Sequence, residues 1–237
     1  MLDKYITPVI KPLLHPVVML LDKKNVTADQ LTVIGFVIGL LAVPLLAFNL
    51  WDFALAAIIL NRIFDGLDGA LARYQNSSSS AGGFLDICLD FLFYAAIPLG
   101  FALANPEHNA IAAAVLLAVF IGTGSSFLAF AIPAEKFNLD KPQFSYKSFY
   151  YLNGLTEGTE TIAVFIAFCL WPQYFAELAY AFAFLAGITI FTRVYGGYHT
   201  LKKQHITQQT RAVKNTDKNT NKNTNKNTNK KNIETDK

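Results

Sequence analysis

Residues 65–90 read DGLDGALARYQNSSSSAGGFLDICLD. Asp65, Asp68, Asp86 and Asp90 sit there between strongly apolar flanks, with Arg73 between the two pairs. Carboxylates rarely occupy such a setting unless they pair, bind a cation or do chemistry. At about 3.6 residues per turn, Asp65, Asp68 and Ala72 share one helix face. Gly82, Asp86 and Asp90 share a face of the next helix. The polar, serine-rich segment 74–81 reads as a loop. So short a loop makes the two helices antiparallel neighbours, and their acidic faces converge. Carboxylates crowded in this way repel one another unless cations neutralise them. Hard oxygen ligands suit Mg2+, Mn2+ or Ca2+ rather than zinc, and two divalent ions would balance the charge. Gly66, Gly69, Gly82 and Gly83 remove side chains where a phosphate or another backbone could come close. Taken alone, Asp65 or Asp86 would more often be a helix cap or a solvated residue, and Gly66 or Gly69 a packing position. The complete set points to chemistry.

The rest of the chain says membrane. Of 237 residues 53% are hydrophobic, 14% aromatic and only 16% charged, and long apolar runs are the mark of membrane-spanning helices. The expectation is an all-α membrane protein with six transmembrane helices, preceded by an N-terminal interfacial helix. Residues 1–24 form that interfacial segment, 25–203 the catalytic domain and 204–237 a disordered tail. Residues 3–21 are apolar at a helical rhythm, with Lys4 and Lys11 on the polar side, which suits a helix lying in the interface. Pro8, Pro12 and Pro16 argue against regularity there. The run lacks a typical signal-peptide cleavage site. Cys88 and Cys169 lie inside apolar runs and suggest neither a disulfide framework nor a zinc site. Nothing points to nucleic acid.

Thr27 and Gln30 fit a capping box, and helices are expected over about 28–48, 53–74, 83–104, 110–133, 155–171 and 175–201. The second half of the second helix carries Arg62, Asp65, Asp68 and Arg73, so it must line a cavity or reach water. Gly122, Gly124, Ser125 and Ser126 read as helix packing. Residues 134–154 are a long polar connection with Lys136, Lys141 and Lys147 and an aromatic cluster at 144–151. Glu157 and Glu160 share a face of the fifth helix. The tail 214–231 is almost wholly Asn, Lys and Thr and reads as disordered and solvated, with lysines able to touch anionic lipid. His15, His108, His199 and His205 form no ligand pattern. The turns 49–52, 105–109 and 172–175 carry no Lys or Arg, whereas Lys23, Lys24, Arg73, Lys136, Lys141, Lys147, Lys202 and Lys203 mark the other boundaries. The positive-inside rule then puts both termini and the aspartates on the cytosolic side of a multi-pass membrane protein.

The pattern D-x2-D-G-x2-A-R-x8-G-x3-D-x3-D, here Asp65, Asp68, Gly69, Ala72, Arg73, Gly82, Asp86 and Asp90, resembles the CDP-alcohol phosphatidyltransferase family without departure. The resemblance implies transfer of a phosphatidyl group from CDP-diacylglycerol to a small alcohol, with release of CMP. It implies two divalent ions, Mg2+ or Mn2+, held by Asp65, Asp68 and Asp86, with Asp90 a further ligand and the general base. It implies that Gly69, Ala72, Arg73 and Gly82 surround the cytidine and its phosphates, and that two copies pair as a homodimer. Glycerol 3-phosphate is the first expectation for the acceptor, with inositol phosphate, serine and other alcohols open. Arg193 is the candidate for an acceptor phosphate, because an arginine inside a membrane helix seeks an anion. An ion pair to Glu157 or Glu160, or snorkelling to head groups, is an equal reading of it. Arg62 is equally ambiguous. The competing class is a non-enzymatic membrane protein, a transporter or channel with a cation site, or an enzyme-like partner subunit. Transporter sites usually sit near the bilayer midplane between repeats; here the acidic cluster is expected at one end and no repeat is visible.

Overall fold

The computed structural model describes residues 14–136 and 156–203. The expectations for residues 3–13, for most of the 134–154 connection and for the Asn/Lys/Thr tail fall outside the described residues. Within them the chain is helical throughout: α1 (14–23), α2 (Ala28–Leu40), α3 (Ala42–Ala47), α4 (Trp51–Tyr74), α5 (Ser80–Ala104), α6 (Pro106–Lys136), α7 (Gly158–Leu170), a 3-10 turn (Pro172–Tyr174) and α8 (175–203). Among the described residues four stretches are long and apolar enough to cross a membrane: Ala28–Ala47, Ser80–Ala104, Pro106–Glu135 and Pro172–Lys203. At 24 residues α4 is long enough as well, but its charges set it apart in composition. The 13 residues of α7 span about 20 Å at 1.5 Å each.

Local chemistry explains most boundaries. Thr27 and Gln30 form the capping box, with Thr27 N donating to Gln30 Oε1 at 3.0 Å and Gln30 N to Thr27 Oγ1 at 3.3 Å. The single helix expected over 28–48 is broken at Leu41. Pro44 lacks the N–H that would bond the Leu40 carbonyl, and its ring crowds that carbonyl. Asn25, Asn49 and Asn76 have positive φ (56°, 61° and 52°) and end α1, α3 and α4. Each sits in a paired C-terminal turn: Val26 N to Leu21 O at 3.1 Å, Leu50 N to Leu45 O at 2.8 Å and Ser77 N to Ala72 O at 2.9 Å. Asparagine tolerates this left-handed backbone because its short side chain can bond locally.

Two apolar clusters hold the bundle. The larger is aromatic: Phe93, Phe101, Phe165, Phe168 and Phe175 are wholly buried, and the rings of Phe101 and Phe175 stack with centroids 4.5 Å apart. The smaller one, Val18, Leu31, Leu67 and Leu71, ties α1 to α2 and α4. Large apolar side chains such as Phe53, Phe84, Ile111, Ile121, Ile132, Phe184 and Phe191 lie exposed around the outside. Large apolar side chains exposed in such number suit lipid as the solvent.

Candidate active site: an aspartate cleft between α2, α4 and α5

α2 crosses α4 and α5 very closely. A methyl group on Gly35 would lie 2.6 Å from Phe64 Cβ, and one on Gly39 would lie 2.8 Å from both Asn61 Nδ2 and the Phe93 ring. Only glycine permits this approach, and it is closed by Asn61 Nδ2 donating to the Gly35 carbonyl at 2.9 Å. One turn before Gly35, Thr32 reaches the acidic face of α4 and its Oγ1 donates to Asp68 Oδ2. Asp68 is buried, with 6% of its surface exposed.

The loop 75–79 joins α4 to α5, but the two helices do not pack closely on one another as the short loop led one to expect; each packs on α2, which lies against both and brings their acidic faces together. Gln75 Nε2 ties the loop to the α1–α2 turn through Asp22 Oδ1 at 3.0 Å and the Val26 carbonyl at 3.1 Å. Ser79 starts α5 by accepting from Gly82 N at 3.0 Å. Asp86 then faces the α4 pair. Asp65, Asp68 and Asp86 each bring a carboxylate oxygen within 4.8 Å of the others. Oxygens around one Mg2+ or Mn2+ ion at 2.0–2.1 Å lie roughly 3–4 Å apart, so small side-chain shifts would let this set grip such ions. The donor set, all carboxylate, is hard, as these ions require.

Asp90, one turn beyond Asp86, lines the same cleft with Thr32, Asn61, Arg62 and the other three aspartates. It lies outside the group of three and is held instead by Arg62, whose Nη2 donates to Asp90 Oδ1 at 2.7 Å. Nη1 of Arg62 is 3.5 Å from Asp65 Oδ2. Thr32, Asn61 and Arg62 shape the site although they stand outside the eight-position pattern. Gly35-x3-Gly39, the small-residue spacing of close helix packing, signals in the sequence that α2 is approached closely, but not which of its residues meets the aspartates.

The remaining expected residues divide. At Gly69 an added methyl would lie 3.2 Å from Arg73 Nη1, so the Arg73 side chain folds back over Gly69. At Gly82 it would lie 3.1 Å from Asp29 Oδ1. Ala72 is half-buried one turn past Asp68. Gly69, Ala72 and Arg73 thus sit in the last turns of α4 and Gly82 in the first turn of α5, the two helix ends that the loop joins, and none of them lines the aspartate cleft itself. Arg193 is not among the residues that line that cleft: it is buried on α8 and its Nη1 donates to the Thr123 carbonyl of α6 at 3.3 Å. Glu157 and Glu160 form a reciprocal cap that starts α7, with Glu157 N donating to Glu160 Oε2 at 3.1 Å. Gly122 packs on Ile190 and Gly124 on Phe91.

Known proteins share both the sequence and the fold. The family model for CDP-alcohol phosphatidyltransferase matches residues 25–194. The inner membrane protein YnjF of Escherichia coli is 58% identical over 202 residues, covering 85% of this chain and 98% of that one. The archaetidylinositol phosphate synthase of Pyrococcus horikoshii is 45% identical over 107 residues, 44% of this chain and 55% of that protein. The crystal structure of the Mycobacterium tuberculosis phosphatidylinositol phosphate synthase with CDP-DAG bound superposes with a TM-score of 0.63 at 19% identity, over 79% of this chain and 94% of that one. Another crystal structure of that synthase, in complex with manganese and citrate, has a TM-score of 0.62 at 20% identity, over 77% and 88% of the two chains. The intact aspartate pattern, the cleft it builds and a family match across most of the helical domain agree: the chain belongs to the CDP-alcohol phosphatidyltransferase family.

Proposed function

We propose that this enzyme moves a phosphatidyl group from CDP-diacylglycerol to a phosphorylated polyol, with inositol phosphate ahead of glycerol 3-phosphate. The observation that carries the chemistry is the meeting of Asp65, Asp68, Asp86 and Asp90 in one cleft. The names of the relatives favour the inositol class of acceptor: one is an archaetidylinositol phosphate synthase. The fold is that of a phosphatidylinositol phosphate synthase.

Asp65, Asp68 and Asp86 would hold two Mg2+ or Mn2+ ions, whose charge would neutralise the donor's pyrophosphate and ease the departure of CMP. Gly69, Ala72, Arg73 and Gly82 surround the cytidine and its phosphates. Asp90 takes the proton from the acceptor hydroxyl. The hydroxyl oxygen bonds to the lipid-side phosphorus, the phosphoanhydride bond breaks, and CMP leaves with that electron pair. The acyl chains stay in the bilayer, so the donor arrives oriented.

Arg193 meets the acceptor's phosphate. Thr123, its partner, follows one turn after Phe120, whose ring meets Tyr94 with centroids 6.1 Å apart. Tyr94 is one turn beyond Asp90, so these helices wall the region past the base. A second arginine charge there would attract a phosphate and not a neutral alcohol.

Six spans follow if α4 and α7 cross with the four long apolar stretches, and an even number keeps both termini on the cytosolic side with the aspartates. The testing experiment is CMP release by the purified protein in lipid with CDP-diacylglycerol, Mn2+ and single acceptors. Release with inositol phosphate, absent in Asp90→Asn, is expected. Release with serine or unphosphorylated inositol alone would overturn the acceptor class, and full turnover by Asp90→Asn would remove the base.

A further inference from the structure

Tyr94 is the one tyrosine of α5, a helix whose other aromatic residues are phenylalanines, at 84, 91, 93 and 101. It stands one turn past Asp90 and two past Asp86, on the face that carries both carboxylates. Its ring is braced by three others: the centroids of Phe93, Phe120 and Phe165 lie 6.0, 6.1 and 5.9 Å away. The Arg62 guanidinium of α4 stands over it at 5.6 Å. A ring gripped from α4, α6 and α7 at once has little room to turn, so its oxygen is held in one place. That oxygen lies at the head of α7, where a methyl built on Gly158 would come 3.5 Å from it. Phenylalanine would fill the same space, so packing does not explain the hydroxyl.

The neighbours of that hydroxyl form a closed circuit of contacts. Two residues before Gly158, Thr156 places its N and Oγ1 at 3.1 and 3.0 Å from Thr189 Oγ1 on α8. Arg193 is one turn beyond Thr189 and donates to the Thr123 carbonyl of α6 at 3.3 Å. Gly124, beside Thr123, packs against Phe91, where an added methyl would lie 2.7 Å from the ring. Phe91 follows Asp90, and Tyr94 closes the circuit on α5. A carboxylate, a guanidinium and a phenol are thereby gathered, and these groups can meet one hydroxyl, a phosphate and a second hydroxyl.

We propose that Tyr94 is a specificity-determining residue for the acceptor. Its phenol hydrogen-bonds a second hydroxyl of a polyol whose first hydroxyl is presented to Asp90, and so selects polyols over alcohols with a single hydroxyl. The role rests on the acceptor class proposed above. A phenol can both donate and accept, and one already braced loses little freedom when a ligand binds. A site that offers a fixed polar atom to a substrate hydroxyl discriminates against the analogue that lacks it, because the analogue forgoes that bond.

Tyr94→Phe keeps the ring and removes only the hydroxyl. CMP release with CDP-diacylglycerol, Mn2+ and inositol phosphate should show a KM for the acceptor raised about 10-fold. The KM for CDP-diacylglycerol, the Mn2+ affinity and the thermal midpoint should stay within error of the parent, which a merely structural role would not allow. A series of inositol phosphates, each lacking one ring hydroxyl, gives the second measurement. In the parent one member should lose about 10-fold in kcat/KM, and in Tyr94→Phe that member should do as well as the full acceptor, since the bond is lost only once. An unchanged acceptor KM in folded Tyr94→Phe overturns the proposal. So does a deoxy series whose losses are the same in Tyr94→Phe as in the parent. Should Tyr94→Phe fail to fold, a parent indifferent to every single deletion overturns it, and a loss confined to one hydroxyl supports it. If unphosphorylated inositol is the acceptor, the phosphate class falls and the same series without phosphate still judges Tyr94. If serine is the acceptor, with its single hydroxyl, both readings fall.

Discussion

A single hydroxyl shows how much a site depends on its supports. Asp68 is the buried member of the cluster, and Thr32 reaches it from another helix. A hydrogen bond to an ionised carboxylate holds it in one orientation and favours its charged form, and loss of such a partner typically costs 10- to 100-fold in metal affinity or activity. Thr32→Val keeps shape and removes the donor. Its Mn2+ affinity in a calorimetric titration should drop about 10-fold, with Thr32→Ser close to the parent. Equal affinity in Thr32→Val would make the contact incidental. The aspartates were legible in the sequence because their spacing repeats the helical turn within a short stretch. Thr32 and Arg62 were not. Thr32 stands 36 residues from Asp68, and no local periodicity states which residue of α2 will face it. Arg62 is local, but its choice between anion, aromatic ring and lipid depends on where Phe93 and Asp90 come to lie.

At the level of elements, the cleft exists because α2 can lie almost against α4 and α5. The Gly35 and Gly39 backbone occupies the space that side chains would fill. A leucine there must push Phe64 or Phe93 out of place, and Phe93 is wholly buried in the aromatic core. Overpacking of this kind costs about 1–3 kcal/mol. Gly39→Leu should therefore lower the thermal midpoint in detergent by several degrees. It should also weaken Mn2+ binding, since it displaces α2 and with it Thr32. An unchanged melt would mean that the helices part at no cost. Helix positions were largely legible from apolar runs, the Thr27 capping box and the polar turns. The break at Leu41 was not, although Pro44 announced it, because the apolar run continues straight through the proline and hydropathy carries no backbone information. Glu157 and Glu160, whose shared face was legible from their spacing, form the reciprocal cap that starts α7. Arg193 was singled out as a charge in an apolar helix, and its burial beside α6 fits that unusual placement.

Taken whole, the molecule has two chemically distinct ends. Asn49, Trp51, Asn105, His108, Pro172 and Gln173, from the turns without lysine or arginine, line one shared hollow. Trp171 and Tyr174 are exposed beside it, as aromatic side chains are at a membrane–water interface. The other end gathers Lys23, Lys24, the Gln75 tie between the α1–α2 turn and the α4–α5 loop, and the exposed Arg73. Basic residues resist transfer across a membrane, so this second end should stay on the side of synthesis, where a nucleotide-bearing lipid also presents its head group. With Cys88 and Cys169 replaced by alanine, Ser77→Cys would report on the aspartate end and Gln173→Cys on the other; both positions are exposed. A membrane-impermeant maleimide added to intact cells should label Gln173→Cys at once and Ser77→Cys only after the membrane is opened. The reverse pattern would invert the protein and place the aspartates outside. That would remove them from a CDP-lipid made on the inner leaflet, so the outcome bears on the chemistry as much as on the topology.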